Sequence, residues 1–102
     1  MDIHWKIKSF ESLSVNELYD ILKLRSTIFV VEQNCVYLDL DGKDKVALHL
    51  LGEFEGKIVA YSRLFKPRIS FDNASIGRVV VDADFRSRKW GHDLMREAIQ
   101  GI

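Results

Sequence analysis

Three consecutive valines lead into a turn that is rich in positive charge. Val79, Val80 and Val81 form a short apolar run typical of a buried strand. A helix beginning just after the turn would leave its first N–H groups without partners in the helix, and these groups carry a partial positive charge. The residues that could contact an anion there are Arg86, Ser87, Arg88, Lys89, Trp90, Gly91 and His92. The pattern predicts an anion-binding site, with a solvated basic turn as the alternative.

Two further arginines lie in apolar surroundings. Arg63 and Arg78 fall within stretches that we expect to be neighbouring strands of a sheet. A charged side chain is unfavourable there unless it is paired. One interpretation is a set of buried salt bridges; the other is an arginine-lined acceptor cleft that binds a carboxylate or positions the loop after the first helix. The acidic residues that could pair with these arginines are Glu32, Asp39, Asp41 and Asp44.

Hydrophobic periodicity predicts the elements that position these residues. The expected strands are residues 3–8, 48–54, 58–65 and 76–81. Glu55-Gly56 between the second and third strands is a hairpin signal. The order β-α-β-β-β-α predicts an α+β, or mixed α/β, fold with a mostly antiparallel central sheet flanked by helices. We expect residues 1–102 to form a single domain.

Two helices are expected, at about residues 15–31 and 90–101. Ser14 and Glu17 have the spacing of a capping box at the start of the first helix. The last helix carries an apolar stripe: Leu94, Met95, Ala98, Ile99 and Ile102.

Composition narrows the classes of partner. The 102 residues contain 15 Lys and Arg against 15 Asp and Glu, so charge gives no support for a nucleic acid or a membrane surface as partner. No apolar run approaches the roughly 18 residues of a membrane span. The single cysteine, Cys35, cannot form an internal disulfide and favours the cytoplasm. The acidic stretch 39–44 lacks the spacing of a calcium loop, and we expect no metal site.

Residues 79–95, VVVDADFRSRKWGHDLM, resemble motif A of the GNAT acetyltransferases, which is usually written R/Q-x-x-G-x-G/A. Residues 22–44, LKLRSTIFVVEQNCVYLDLDGKD, and residues 49–64, HLLGEFEGKIVAYSRL, are similar to the ElaA-like branch of that family. Lys89 stands at a glycine position of the general motif, and members of this branch tend to carry lysine there. The likeness covers essentially the whole chain.

The resemblance implies a function and a cofactor site. GNAT enzymes transfer an acetyl group from acetyl-CoA to a primary amine by direct attack in a ternary complex. By this likeness Val79 to Val81 would meet the pantetheine arm of acetyl-CoA, and the turn that follows would bind the pyrophosphate through its N–H groups. The acceptor would be a small-molecule or peptide amine. Candidate groups for moving protons are Glu32 and His49 as bases and Tyr37 as an acid, although a strand histidine is more often packed and a glutamate at a helix end more often caps or pairs.

GNAT domains continue beyond the last helix of this chain, so the resemblance also implies a C-terminally truncated domain. A truncated domain would expose the edge of the fourth strand and one face of the last helix, and we expect self-association, for instance a homodimer. Catalysis by such a chain would be doubtful. The alternative function is therefore a non-catalytic module that binds CoA or a protein partner.

Overall fold

A tight hairpin forms the centre of the sheet. In the computed structural model, which describes residues 3–34, 38–68, 73–88 and 90–102, strand β2 (Leu48–Phe54) and strand β3 (Lys57–Phe65) pair in antiparallel fashion. Glu55 and Gly56 connect them with φ angles of 53° and 78°. A two-residue turn with both residues in the left-handed region matches the twist of the flanking strands. The hairpin predicted from the sequence is confirmed.

Two outer strands complete a four-stranded sheet. Strand β1 (His4–Ser9) pairs with β2, strand β4 (Ser75–Val81) pairs with β3, and the spatial order is β1-β2-β3-β4. Every pairing is antiparallel. The predicted fold class and the four predicted strands are confirmed, with ends that differ by one residue.

The pairing of β3 with β4 contains an irregularity that matters for the site. Tyr61 is opposite Val80 and Arg63 is opposite Gly77, so Ser62 alone faces two residues of β4. The two residues are Arg78 and Val79, which form a β-bulge. Arg78 has a φ of 50°. A residue with a side chain in this region carries a strain of about 1–2 kcal/mol, which the surrounding structure must offset.

The first helix begins as its sequence predicts. The Ser14 hydroxyl accepts a hydrogen bond from the Glu17 N–H at 3.0 Å, and the Glu17 carboxylate accepts one from the Ser14 N–H at 2.9 Å. This capping box starts helix α1 (Val15–Arg25). The helix continues without a break into a π-helical segment, Ser26–Glu32. The predicted extent is confirmed, while the π geometry was not predicted, because a wider turn is not visible in residue types.

The two helices cover opposite faces of the sheet. Ile21 and Leu24 of α1 pack in one apolar cluster with Leu51 and Tyr61. Helix α2 (Trp90–Gly101) packs on the other face. Its buried residues join those of the sheet in a second cluster: Leu50, Ala60, Leu64, Leu94 and Ala98. Neighbouring residues of β2 and β3 thus supply the two sides of the core, as the period of a strand requires.

The apolar stripe predicted for the last helix is only half buried. Leu94 and Ala98 are fully buried, whereas Met95, Ile99 and Ile102 are exposed. The exposed residues lie next to the buried ones along the helix, so the contact with the sheet is narrower than the stripe.

Candidate functional site: the end of strand β4 and the turn that follows

Strand β4 presents an open edge. Among the residues that the structure describes, only β3 pairs with it, and its outer edge has no partner strand. The three valines of the sequence pattern lie at its end. Val80 is buried, Val81 is partly buried, and Val79, which is part of the bulge, is 38% exposed. An unpaired strand edge offers backbone donors and acceptors to any extended molecule that lies beside it.

The turn after β4 is built by Asp82. Its carbonyl accepts a hydrogen bond from the Phe85 N–H at 2.9 Å, and its carboxylate accepts one from the Asp84 N–H at 3.0 Å. These bonds start a short 3-10 helix, Ala83–Arg88, and α2 begins at Trp90. The turn therefore directs the chain from the strand into the N-terminus of a long helix, as the sequence predicts. Lys89 lies outside the described residues.

Gly91 leaves open space over the first turn of α2. A Cβ atom built at Gly91 would meet only Val81 Cγ2, at 3.9 Å, which is ordinary van der Waals contact. The backbone of Gly91 is helical, so neither its conformation nor internal packing requires glycine. What glycine adds here is close access to the N–H groups at the helix start. His92, the next residue, is exposed.

The arginines of the turn contact the protein itself. Arg88 stacks over three aromatic rings, with its guanidinium carbon 5.0 Å from the centre of the Phe54 ring, 5.6 Å from that of Phe85 and 5.5 Å from that of Trp90. Arg86 donates from Nε to the Val81 carbonyl at 3.3 Å. These contacts fix the shape of the turn, and they leave the helix N-terminus as the part of the turn best suited to an anion.

Glu32 lies next to the turn. Its carboxylate is 2.8 Å from the guanidinium of Arg86. Glu32 also lines a groove of about 410 Å³ between the end of the first helix, the β2–β3 turn and the start of the 3-10 helix. The groove has four carboxylates, those of Asp20, Glu32, Asp82 and Asp84, against two lysines, Lys23 and Lys57. Such a lining suits a cationic ligand better than a phosphate.

A network of buried charges lies behind the bulge of β4. Arg63 Nη1 is 2.8 Å from Asp41 Oδ1 and 3.1 Å from Asp44 Oδ1. Arg78 Nε donates to Asp39 Oδ1 at 2.9 Å. The salt bridges predicted for both arginines are confirmed, with the three aspartates but not Glu32 as partners. The role of Arg63 and Arg78 as an acceptor cleft stays a prediction.

Arg25 is a member of this network that the sequence reading missed. It has no exposed surface. Its Nη1 is 2.8 Å from Asp44 Oδ1, and its Nε is 3.0 Å from Asp39 Oδ2. Burial acts to lower the pKa of Arg25, but the hydrogen bond to Asp44 and the nearby negative charges raise it overall. The signal was a charged residue at a helical position that otherwise belongs to the apolar stripe.

Known proteins resemble this chain in sequence and in fold. The sequence profile described as acetyltransferase (GNAT) family matches residues 14–100. This chain belongs to the GNAT acetyltransferase family. The match runs from the capping box of the first helix to the end of α2, so it includes the open strand edge, the turn and the charge network.

Two relatives are similar over nearly the whole chain. Protein ElaA of Escherichia coli is 40% identical over 96% of this chain, which spans 65% of that protein. The crystal structure of E. coli ElaA superimposes with a TM-score of 0.91. An acyl-CoA N-acyltransferase from Pseudomonas aeruginosa is 40% identical over 97% of this chain and 69% of its own, also with a TM-score of 0.91. This GNAT chain thus spans slightly less than two thirds of its curated relative.

A more distant solved structure shares the fold alone. A predicted acetyltransferase from Clostridium acetobutylicum, solved with acetyl-CoA, is 11% identical with a TM-score of 0.53. At this identity the likeness concerns the arrangement of helices and strands.

His49 is packed in the core of this GNAT domain. It has no exposed surface. Its Nδ1 is 2.6 Å from the hydroxyl of Tyr61, and its Nε2 is 2.8 Å from the carbonyl of Asp44. Burial lowers the pKa of His49 and raises that of Tyr61. Both ring nitrogens are engaged, so an amine cannot reach His49 in this arrangement, and the packed role that the sequence left open is the one observed.

Tyr37, the candidate acid, lies outside the described residues. Within the described ranges, no group of His, Cys, Asp and Glu side chains is arranged to hold a metal ion. No helix in the described part of the chain is long and apolar enough to cross a membrane.

Proposed function

We propose that this chain carries the acetyl-CoA site of an N-acetyltransferase that acts on a primary amine. The observation that carries the proposal is the open edge of β4 running into a helix N-terminus at which Gly91 leaves room for a ligand. An extended arm ending in a pyrophosphate fits such a surface, since the strand edge pairs with the arm and the helix start favours the anion. The acetyl-CoA bound to the Clostridium acetobutylicum protein of the same fold supports it.

Different residues would bind different parts of the cofactor. The backbone of Val79 to Val81 would pair with the pantetheine arm. The N–H groups from Ser87 to His92, with Arg86 and Lys89 as nearby charges, would bind the pyrophosphate. Acetyl-CoA supplies the activated acyl group. No metal is required for this transfer.

Transfer needs two proton movements. The amine nitrogen attacks the thioester carbonyl, the new C–N bond forms and the C–S bond breaks. The amine proton must pass to a base, and the departing thiolate must gain a proton. Glu32 is exposed and lines the groove beside the turn, so it is the more accessible of the two proposed bases. Tyr37 is the proposed acid.

A graded series at Gly91 tests the cofactor site. We expect Gly91→Val to weaken acetyl-CoA binding by more than about tenfold, because its branched side chain would occupy the space over the N–H groups. Gly91→Ala adds only a Cβ and should lie between the parent and the valine variant. Arg88→Ala should cost less than about 1 kcal/mol of binding energy, since an exposed charge contributes little. Calorimetric titration of each variant with acetyl-CoA measures the affinities.

Each variant must first show the thermal unfolding of a folded domain. Parent-like binding by Gly91→Val together with loss of binding in Arg88→Ala would replace the backbone site with a cationic patch. A thiol-release assay against a panel of amines then separates the enzyme from the alternative. Binding of acetyl-CoA without thiol release from any amine would favour a CoA-binding module that does not turn over.

A further inference from the structure

The β4 bulge places a residue with a long side chain where glycine is usually found. Arg78 has a φ of 50° and lies opposite Ser62 together with Val79. The Ser62 hydroxyl donates to the Gly77 carbonyl at 3.1 Å, so a side chain serves a backbone acceptor beside the bulge. A bulge of this kind takes its first residue into the left-handed region, which a residue other than glycine occupies only with strain. The contacts of the Arg78 side chain are therefore candidates for what offsets that strain.

Those contacts converge on Asp39. Arg78 Nε donates to Asp39 Oδ1 at 2.9 Å, and Arg78 Nη2 donates to the Asp39 carbonyl at 3.1 Å. Two nitrogens of one rigid guanidinium therefore hold two oxygens of one residue, which fixes direction as well as distance. Arg78 Nη2 is also 3.5 Å from Asp41 Oδ2.

Asp39 is itself immobilised from the other side. It is 4% exposed. Arg25 of α1 places Nε 3.0 Å from Asp39 Oδ2 and donates from Nη2 to the Asp39 carbonyl at 3.0 Å. Because Arg25 is fully buried in the helix face, it holds Asp39 in place, and Arg78 binds an immobile partner.

We propose that Arg78 is a positioning residue, whose grip on Asp39 maintains the β4 bulge and thereby sets Val79 at the open strand edge for the acyl-bearing arm of the cofactor. This rests on the proposed function, because the arm is that of acetyl-CoA. The bulge shifts the register of β4 by one residue, and without it the side chains beyond it would exchange faces of the sheet. Val80 would then leave the core and Val79 would enter it. Arg78 acts through the position of the backbone and is not proposed to contact the reacting atoms.

Two substitutions separate the grip from the backbone shape. Arg78→Gln removes the positive charge and the paired guanidinium nitrogens that bind Asp39. We therefore expect the bulge to be lost and acetyl-CoA to bind at least about tenfold more weakly. Arg78→Gly also lacks the grip but adopts positive φ without strain. It should therefore keep the bulge in part and recover part of the affinity. Ile7→Ala, on the opposite edge strand β1 and next to Gly101 at the far end of α2, controls for a general loss of stability.

Two probes and one backbone measurement read the result. Adenosine diphosphate has the pyrophosphate but no pantetheine arm, so its affinity should be unchanged in Arg78→Gln while that of acetyl-CoA falls. Nuclear magnetic resonance shifts and couplings of residue 78, with cross-strand contacts of Ser62, report φ and register. Ile7→Ala should bind both probes as the parent does.

Three results would overturn the proposal: Arg78→Gln that keeps both the bulge and the acetyl-CoA affinity, an equal loss of both probes, or Arg78→Gly binding no better than Arg78→Gln. If the parent binds neither probe, the proposed function falls instead. The backbone measurement on Arg78→Gln then still decides whether the side chain maintains the bulge.

Discussion

The arginines behind strand β4 and the arginines beyond its end have opposite surroundings. Behind the strand, Arg25, Arg63 and Arg78 contact aspartates at 2.8 to 3.1 Å and are mostly buried. Beyond it, Arg88 stacks on aromatic rings and Arg86 pairs with Glu32, and both are exposed. The first group fixes the position of one loop and one strand relative to each other. The second group shapes a turn whose proposed binding groups are backbone N–H groups.

The contrast teaches that a count of cations does not locate an anion site. The region with the greatest density of positive charge in the described structure is neutralised by Asp39, Asp41 and Asp44. The region proposed to bind phosphate depends on a helix N-terminus and on the absence of a side chain at Gly91. The comparison predicts large effects on stability behind the strand and small ones in the turn.

The largest effect is expected at Arg25. Arg25→Met has a similar volume but leaves Asp39 and Asp44 without their buried partner, so we expect a loss of about 3–5 kcal/mol in the free energy of unfolding. Urea unfolding followed by circular dichroism measures it. Lys23→Met, on the exposed side of the same helix, is the matched control and should change stability by less than about 0.5 kcal/mol. A loss under about 1 kcal/mol for Arg25→Met would show that the network is not the main fixed point.

A smaller effect is expected on acidification. The hydrogen bond from Arg63, with those from the backbone and nearby charges, holds the pKa of Asp41 well below its ordinary value. A carboxyl whose pKa is lower in the folded state stabilises the fold above the unfolded pKa, and this contribution is lost as pH falls through the folded pKa. The free energy of unfolding should therefore drop between about pH 5 and about pH 2.

Asp41→Asn isolates that contribution. The variant should be less stable than the parent near neutral pH, and the difference should narrow as pH falls. Glu17, whose pKa is lowered chiefly by the hydrogen bond from Lys8, is present in both proteins and cancels in the comparison. Parallel stability curves for the two proteins would mean that Asp41 contributes nothing through its charge.

The smallest effects are expected in the turn. Arg88→Ala removes the stacking over Phe54, Phe85 and Trp90 and should cost about 0.5–2 kcal/mol of stability. Arg86→Ala removes one exposed ion pair and the hydrogen bond to the Val81 carbonyl, and it should cost about 0–1 kcal/mol. Thermal unfolding of both variants ranks them. A larger loss for Arg86→Ala would place the main support of the turn in the contacts of Arg86 rather than in the aromatic rings.

Much of the fold could be predicted because its signals are local. The capping box at Ser14 and Glu17, the turn at Glu55-Gly56 and the alternation of the strands each depend on neighbours in the sequence. Which residues of the last helix the sheet covers could not be predicted, because the apolar stripe does not show how wide the contact with the sheet is. The π-helical segment depends on packing in the same way.

The candidate site divides along the same line. The turn could be proposed from the sequence because its residues are consecutive. The three aspartates that pair with Arg63 and Arg78 were among the expected partners, but their assignment depends on how residues 38–44 lie against the sheet. Arg25 was not predicted as a buried charge because it occupies a position of the helical stripe where an apolar residue is expected. The contact between His49 and Tyr61 was not predicted because only the register of β2 and β3 shows that these two residues are close.

The charge network also bears on the order in which the chain folds. Its bonds join residues far apart in the sequence, 39 positions for Arg78 and Asp39 and 22 for Arg63 and Asp41, whereas the β2–β3 hairpin closes through two residues. Distant contacts require the closure of long loops and form after local ones. Interactions absent from the folding transition state act by slowing unfolding. The arginines of the network would therefore act chiefly by slowing the unfolding of a sheet whose strands pair before these contacts form.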